Sequence, residues 1–163
     1  PAEFAPHKAT WLSWPHKEAS WPEKIDSIFP SYMAFIKNLT KYEEVNINVC
    51  DNQMKDRAAS MLIGFGVDLS KVNFYMHPTN DAWCRDHGPA FLLNKLDPSK
   101  RAIVDWDYNA WGNKYPPFDL DDVIPTLIAE KLGLPVFNPG IVMEGGSVDF
   151  NGAGTVITST ACL

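Results

Sequence analysis

Asp81-Ala-Trp-Cys-Arg-Asp-His-Gly-Pro89 places two carboxylates, a guanidinium, an imidazole, a thiol and an indole within nine residues. Buried charges are costly unless paired, so a packing segment has little use for so many ionisable groups. A plain surface loop has equally little use for Trp83. A carboxylate beside an indole on a short turn suits a small cation: the carboxylate accepts two parallel N–H bonds from a guanidinium, and the indole covers its flat face. Asp86 is the leading candidate, because it follows Trp83 and Arg85 and precedes the Gly88-Pro89 breaker, as on a turn at a strand end. The competing reading is a local Arg85–Asp86 ion pair with Trp83 in the core. In an extended backbone Cys84 would point away from Trp83 and Arg85, and His87 away from Asp86. No local histidine is spaced to activate Cys84, so neither residue is read as catalytic.

Glu144-Gly-Gly-Ser147 is a second constellation. Two glycines after a carboxylate permit positive φ or a close backbone approach, as when a substrate lies against the chain at Gly145. A simple tight turn into the next strand is the alternative. Asn109-Ala-Trp-Gly-Asn-Lys-Tyr115 is the third, aromatic and turn-forming, and is either a pocket wall that includes Trp111 or a surface loop anchored by Trp111 and Tyr115. His7, His16 and His77 are isolated in the sequence and read as structural.

Strands and helices must position these groups. Thr10 to Trp14 alternates and stops at Pro15, as a strand end does. Ser27 can cap a helix with Pro30 in its first turn, and Ile28, Tyr32, Phe35, Ile36 and Leu39 then share one face. Val45 to Cys50 alternates as a strand, and Asp51 opens a second helix that Gly64 and Gly66 end. Val72–Met76, Ala90–Leu93 and Arg101–Trp106 read as strands. Asp121 or Asp122 caps a third helix, with Pro125 in its first turn and Gly133 closing it. Pro135–Phe137 is a short strand, and Asn151-Gly-Ala-Gly154 turns a hairpin between Ser147–Phe150 and Thr155–Thr160. The order predicts an α/β or α+β fold with a recurring strand–helix–strand unit and no visible internal boundary.

With 163 residues, 45% hydrophobic and 21% charged, the chain has the composition of a globular domain. A net charge of −6 and scattered Lys and Arg exclude a basic nucleic-acid footprint. No apolar run approaches the roughly 20 residues of a membrane-spanning helix. Three widely spaced cysteines, without a C-x-x-C pair, predict neither a disulfide framework nor a zinc site. The expected setting is the cytoplasm, with no nucleic-acid or membrane partner, and a homo-oligomer is compatible with the sequence. Because Ala161-Cys162-Leu163 follows an apolar strand, the chain is expected to belong to something longer.

Trp14-Pro15, Asp81-x-Trp-x-Arg-Asp-x-Gly-Pro89, Asn109-Ala-Trp-Gly-x-Lys-Tyr115 and Glu144-Gly-Gly-Ser147 together resemble the agmatine deiminase family, which includes the Porphyromonas-type peptidylarginine deiminases. The resemblance runs end to end. It implies a pentein-type α/β propeller of five strand–helix–strand blades around a central pocket. This chain would supply about half of that domain, as its N-terminal part. The implied reaction converts a guanidinium to a ureido group with loss of ammonia, through a cysteine-bound thiouronium and without metal or cofactor. Agmatine would give N-carbamoylputrescine; peptidyl-arginine or another guanidine is the alternative substrate. Asp86 would bind the guanidinium with Trp83, Trp111 and Gly145 beside it, and Glu144 would support a catalytic histidine.

The family's His-x-Asp motif and its nucleophilic cysteine lie beyond the Glu-Gly-Gly hairpin, and nothing in this chain matches either. Cys162 comes too early and lacks a glycine-rich context. The chain alone is therefore expected to be inactive. A noncatalytic guanidinium- or amine-binding module is the reading from another class, and a metal-assisted hydrolase lacks the ligand spacing.

Overall fold

In the computed structural model, which describes residues 1–162, the chain falls into two units: His7–Ala82, and Pro1–Pro6 with the chain from Trp83 onward. The first unit alternates strand and helix: β1 (Ala9–Ser13), α1 (Ile25–Leu39), β2 (Glu44–Val49), α2 (Asn52–Gly64) and β3 (Val72–Met76). Its strands form a parallel sheet in the order β1-β2-β3, with Leu12 opposite Ile47 and Ile47 opposite Phe74. The middle strand is buried over Val45–Val49, as expected where helical crossovers cover a parallel sheet. Val45, Ile47 and Val49 share one face of β2, and the buried Ile36, Ala58 and Leu62 come from the two helices that touch it. Asn46 and Asn48 face the other way and are satisfied: Asn73 Nδ2 donates to Asn46, and Asn48 Nδ2 donates to Ser13 Oγ.

Asp51 caps α2, its Oδ1 accepting the Met54 N–H at 2.7 Å. The expected cap of α1 differs. That helix starts before Ser27, whose hydroxyl donates to the Lys24 carbonyl, so Pro30 falls beyond the first turn. There its ring removes one helical hydrogen bond, a cost the apolar face of α1 outweighs.

The second unit carries α3, a single turn (Cys84–His87), then β4 (Ala90–Leu93) and β5 (Arg101–Val104), which pair antiparallel. After a helical turn at Asp119–Asp122 comes α4 (Ile124–Leu132), leading to β6 (Val136–Phe137) parallel to β5. Ile124, Ile128 and Ala129 of α4 are buried with Ile103 of β5. Neither Asp121 nor Asp122 caps α4; Asp122 Oδ1 instead accepts the Tyr108 N–H. Gly133 closes the helix in the left-handed region, as its position predicts. β7 (Val148–Phe150) and β8 (Val156–Thr158) form the expected hairpin. The fold is mixed α/β with small sheets. Among the described residues no helix is long and apolar enough to cross a membrane.

The two caps make opposite predictions. Asp51→Ala should lower stability by about 1 kcal/mol in chemical denaturation, whereas Ser27→Ala should stay within about 0.5 kcal/mol of the parent. Equal losses would show that the assignment of the α1 start is wrong.

Candidate functional site

The turn that carries Asp86 is helical, with the N–H groups of Asp86 and His87 both reaching the Trp83 carbonyl. The alternation expected from an extended chain therefore does not apply. His87 is nonetheless buried away from solvent, edge-on to Tyr108 at 5.9 Å. Gly88 ends the turn because a Cβ there would collide with the Cys84 carbonyl.

Glu144-Gly-Gly-Ser147 packs directly on this turn. Neither glycine has positive φ. What both need is proximity: a Cβ on Gly145 would strike the Arg85 carbonyl, and one on Gly146 would strike the Asp86 carboxylate. The Gly146 N–H donates to Asp86 Oδ1 at 3.2 Å. Arg85 is engaged by Glu3 and by the carbonyls of Gly145 and Val148, and so serves to clamp the two turns. The local Arg85–Asp86 ion pair considered from sequence is replaced by this clamp.

The Asn109–Tyr115 segment reaches the same place by an unusual backbone. Ala110, Trp111, Gly112 and Asn113 all have positive φ, a conformation that costs a non-glycine residue roughly 1–2 kcal/mol. Side-chain acceptors hold it: Asn109 Oδ1 takes the Gly112 N–H at 2.7 Å, and Glu144 Oε1 takes the Trp111 N–H at 3.1 Å. The Trp111 ring stands edge-on to Trp83, Tyr108 and Tyr115.

The three motifs thus share one cleft of about 390 Å³, lined by Asp86, Asn109, Trp111, Glu144, Gly146 and Cys162 among others. Trp83 and Gly145 stand behind the lining: Trp83 supports Trp111 at 5.3 Å, and Gly145 anchors Arg85. Asn109 lies in the third motif without being singled out there, and Cys162, considered from sequence only as a nucleophile, also lines the cleft. The Asx-turn pattern Asn109-x-x-Gly112 was a signal for the first; Cys162 had none, since only folding brings it near. Burial pushes the Asp86 carboxyl above its ordinary range and the Glu144 charge adds to this, while the Gly146 N–H and Arg85 pull the other way. Two neighbouring carboxylates, one of them 7% exposed, beside an indole form a site whose electrostatics improve when a flat cation enters.

Two carboxylates, an indole and a glycine turn thus line one cleft, and solved structures share the fold that builds it. The chain is 32% identical to an agmatine deiminase of Pseudomonas syringae pv. tomato, over all of this chain and 44% of that protein. It superposes on a structure of the Enterococcus faecalis agmatine deiminase with a TM-score of 0.88 at 29% identity, covering 100% of this chain and 44% of that one. The Campylobacter jejuni C315S agmatine deiminase with substrate bound gives a TM-score of 0.82 at 26% identity, with 97% and 44% covered. The chain spans a little under half the length of these relatives. Residues 1–163 match the family described as Porphyromonas-type peptidyl-arginine deiminase, and the chain belongs to that family.

A carboxylate whose pKa is raised by folding contributes stability below its ordinary value of about 4 and loses it as pH rises through the raised value. Asp86→Asn should therefore match or exceed the parent's melting temperature near neutral pH, with the difference shrinking toward pH of about 4. A clear drop at neutral pH would contradict this account of Asp86.

Proposed function

We propose that the protein carrying this chain hydrolyses the guanidinium of agmatine to N-carbamoylputrescine and ammonia, as a cytoplasmic C–N hydrolase that needs no metal or cofactor. The observation that carries the reading is the convergence of Asp86, Glu144 and Trp111 on one cleft. Asp86 accepts two guanidinium N–H bonds, and Trp111, backed by Trp83, covers the flat face of the cation. Glu144 pairs with a catalytic histidine and stabilises its protonated form. Gly145 and Gly146 let the backbone come close enough to hold the Asp86 carboxylate in place.

The nucleophilic cysteine and the histidine come from sequence beyond Leu163, as the resemblance implies. The thiolate adds to the guanidinium carbon and ammonia leaves with a proton from the histidine. Water then adds to the thiouronium carbon, yields its proton to the same histidine, and releases the ureido product with the thiol restored. In this reading the chain is the N-terminal part of a single five-bladed propeller domain. The family description supports peptidyl-arginine as a second substrate, and the ratio of kcat/KM for agmatine and for an arginyl peptide decides between them.

In the full-length protein, Asp86→Asn should lower kcat/KM by about 10²-fold or more with folding preserved. Activity equal to the parent's would remove Asp86 from the site. Glu144→Gln takes an anion from beside the histidine, so the limb of the pH–rate profile that reports this group should move to lower pH. An unmoved profile would make the role of Glu144 untenable.

A further inference from the structure

In the unit His7–Ala82, three residues distant in sequence meet beyond the carboxyl ends of the parallel strands: His16 after β1, Cys50 after β2 and Thr79 after β3. Parallel order brings these ends together, and this is where open α/β sheets build their sites. His16 Nδ1 lies 2.9 Å from the Trp14 carbonyl oxygen and Nε2 lies 3.0 Å from that of Thr79. Carbonyls only accept. A neutral imidazole carries one N–H and would turn a lone pair on one of them; only an imidazolium satisfies both.

A half-buried imidazolium needs an anion. Among the described residues neither carboxylate lining the adjoining cavity forms an ion pair with His16: Asp51 Oδ1 caps α2, and Glu18 Oε1 accepts the Glu23 N–H at 2.8 Å. The cations nearby have partners too, Lys17 with Asp81 and Arg57 with Asp26. What remains is Cys50 Sγ, 3.8 Å from His16 Nε2. As a thiol it would donate to the Thr79 oxygen at 3.6 Å, and as a thiolate it leaves that carbonyl to His16, while the Cys50 backbone N–H turns to Met54 Sδ.

We propose that Cys50 and His16 form a thiolate–imidazolium pair that makes Cys50 a modification site for hydroperoxides and soft electrophiles. Cys50 is partly exposed and His16 lines an open cavity of about 380 Å³. The hydrogen bond with Cys50 raises His16 to about 9 against the opposing effect of burial, and His16 in turn pulls the thiol down. With hydrogen peroxide, the thiolate forms an S–O bond as the O–O bond breaks. The departing oxygen takes the Nε2 proton and leaves as water; sulfur is oxidised by two electrons to a sulfenic acid and the peroxide is reduced. Neutral His16 then keeps a donor for only one carbonyl, so oxidation loosens the tie between the ends of β1 and β3.

The test is site-resolved mass spectrometry of iodoacetamide alkylation across pH on the full-length protein, with an unstructured cysteine peptide as reference. The Cys50 midpoint should lie below the peptide's. His16→Gln should return it toward the peptide value and slow alkylation near neutral pH about 10-fold, which corresponds to one pH unit. Peroxide followed by dimedone should label Cys50 in the parent and much less in the variant. A parent midpoint equal to the peptide's overturns the proposal, and so does a folded His16→Gln protein with an unshifted midpoint. If that variant fails to fold, the parent profile alone decides.

Discussion

The turn Cys84–His87 and the turn Gly145–Ser147 lie backbone against backbone, and the candidate site depends on that contact. It exists because Gly145 and Gly146 carry no Cβ where the Arg85 carbonyl and the Asp86 carboxylate stand. Arg85 then ties the two together through Glu3 and two carbonyls, which spends its guanidinium on architecture. Among the described residues Asp86 consequently faces the cleft without an ion pair, although Arg85 still lowers its pKa from a distance. The Gly146 N–H orients it without neutralising it.

The second carboxylate is handled differently. Glu144 is nearly fully buried and uses one oxygen to hold the Trp111 N–H, in a loop whose left-handed residues would be unfavourable alone. One contact therefore fixes a carboxylate and an indole together. An unmatched negative charge and a positioned aromatic face are both costs to folding, and both would be recovered by the flat cation proposed to bind here. Binding sites commonly show this trade between stability and function.

The unit His7–Ala82 reaches its local chemistry by another route. No tight glycine contact is involved; parallel strand order alone collects residues that follow each strand. There the position of protons is decided by carbonyls, since Trp14 and Thr79 both demand donors from His16.

Much of this was legible in residue order. Alternation marked β1 and β2, breakers marked the ends of α2 and α4, and Asp51 announced its cap, because each depends on neighbours a few residues away. The three motifs also picked out residues that fold onto one cleft. Local pattern misplaced the start of α1, the helical turn around Asp86 and the job of Asp122, where tertiary contacts outweighed propensity. It read His16 as isolated, because a strand-end partner in a parallel sheet is a whole crossover away. Residue type and period belong to adjacent positions, and the sequence carries them outright. Which carboxylate shares a cleft with which indole, and which sulfur faces which imidazole, depends on closing long loops, and only the packed chain decides that.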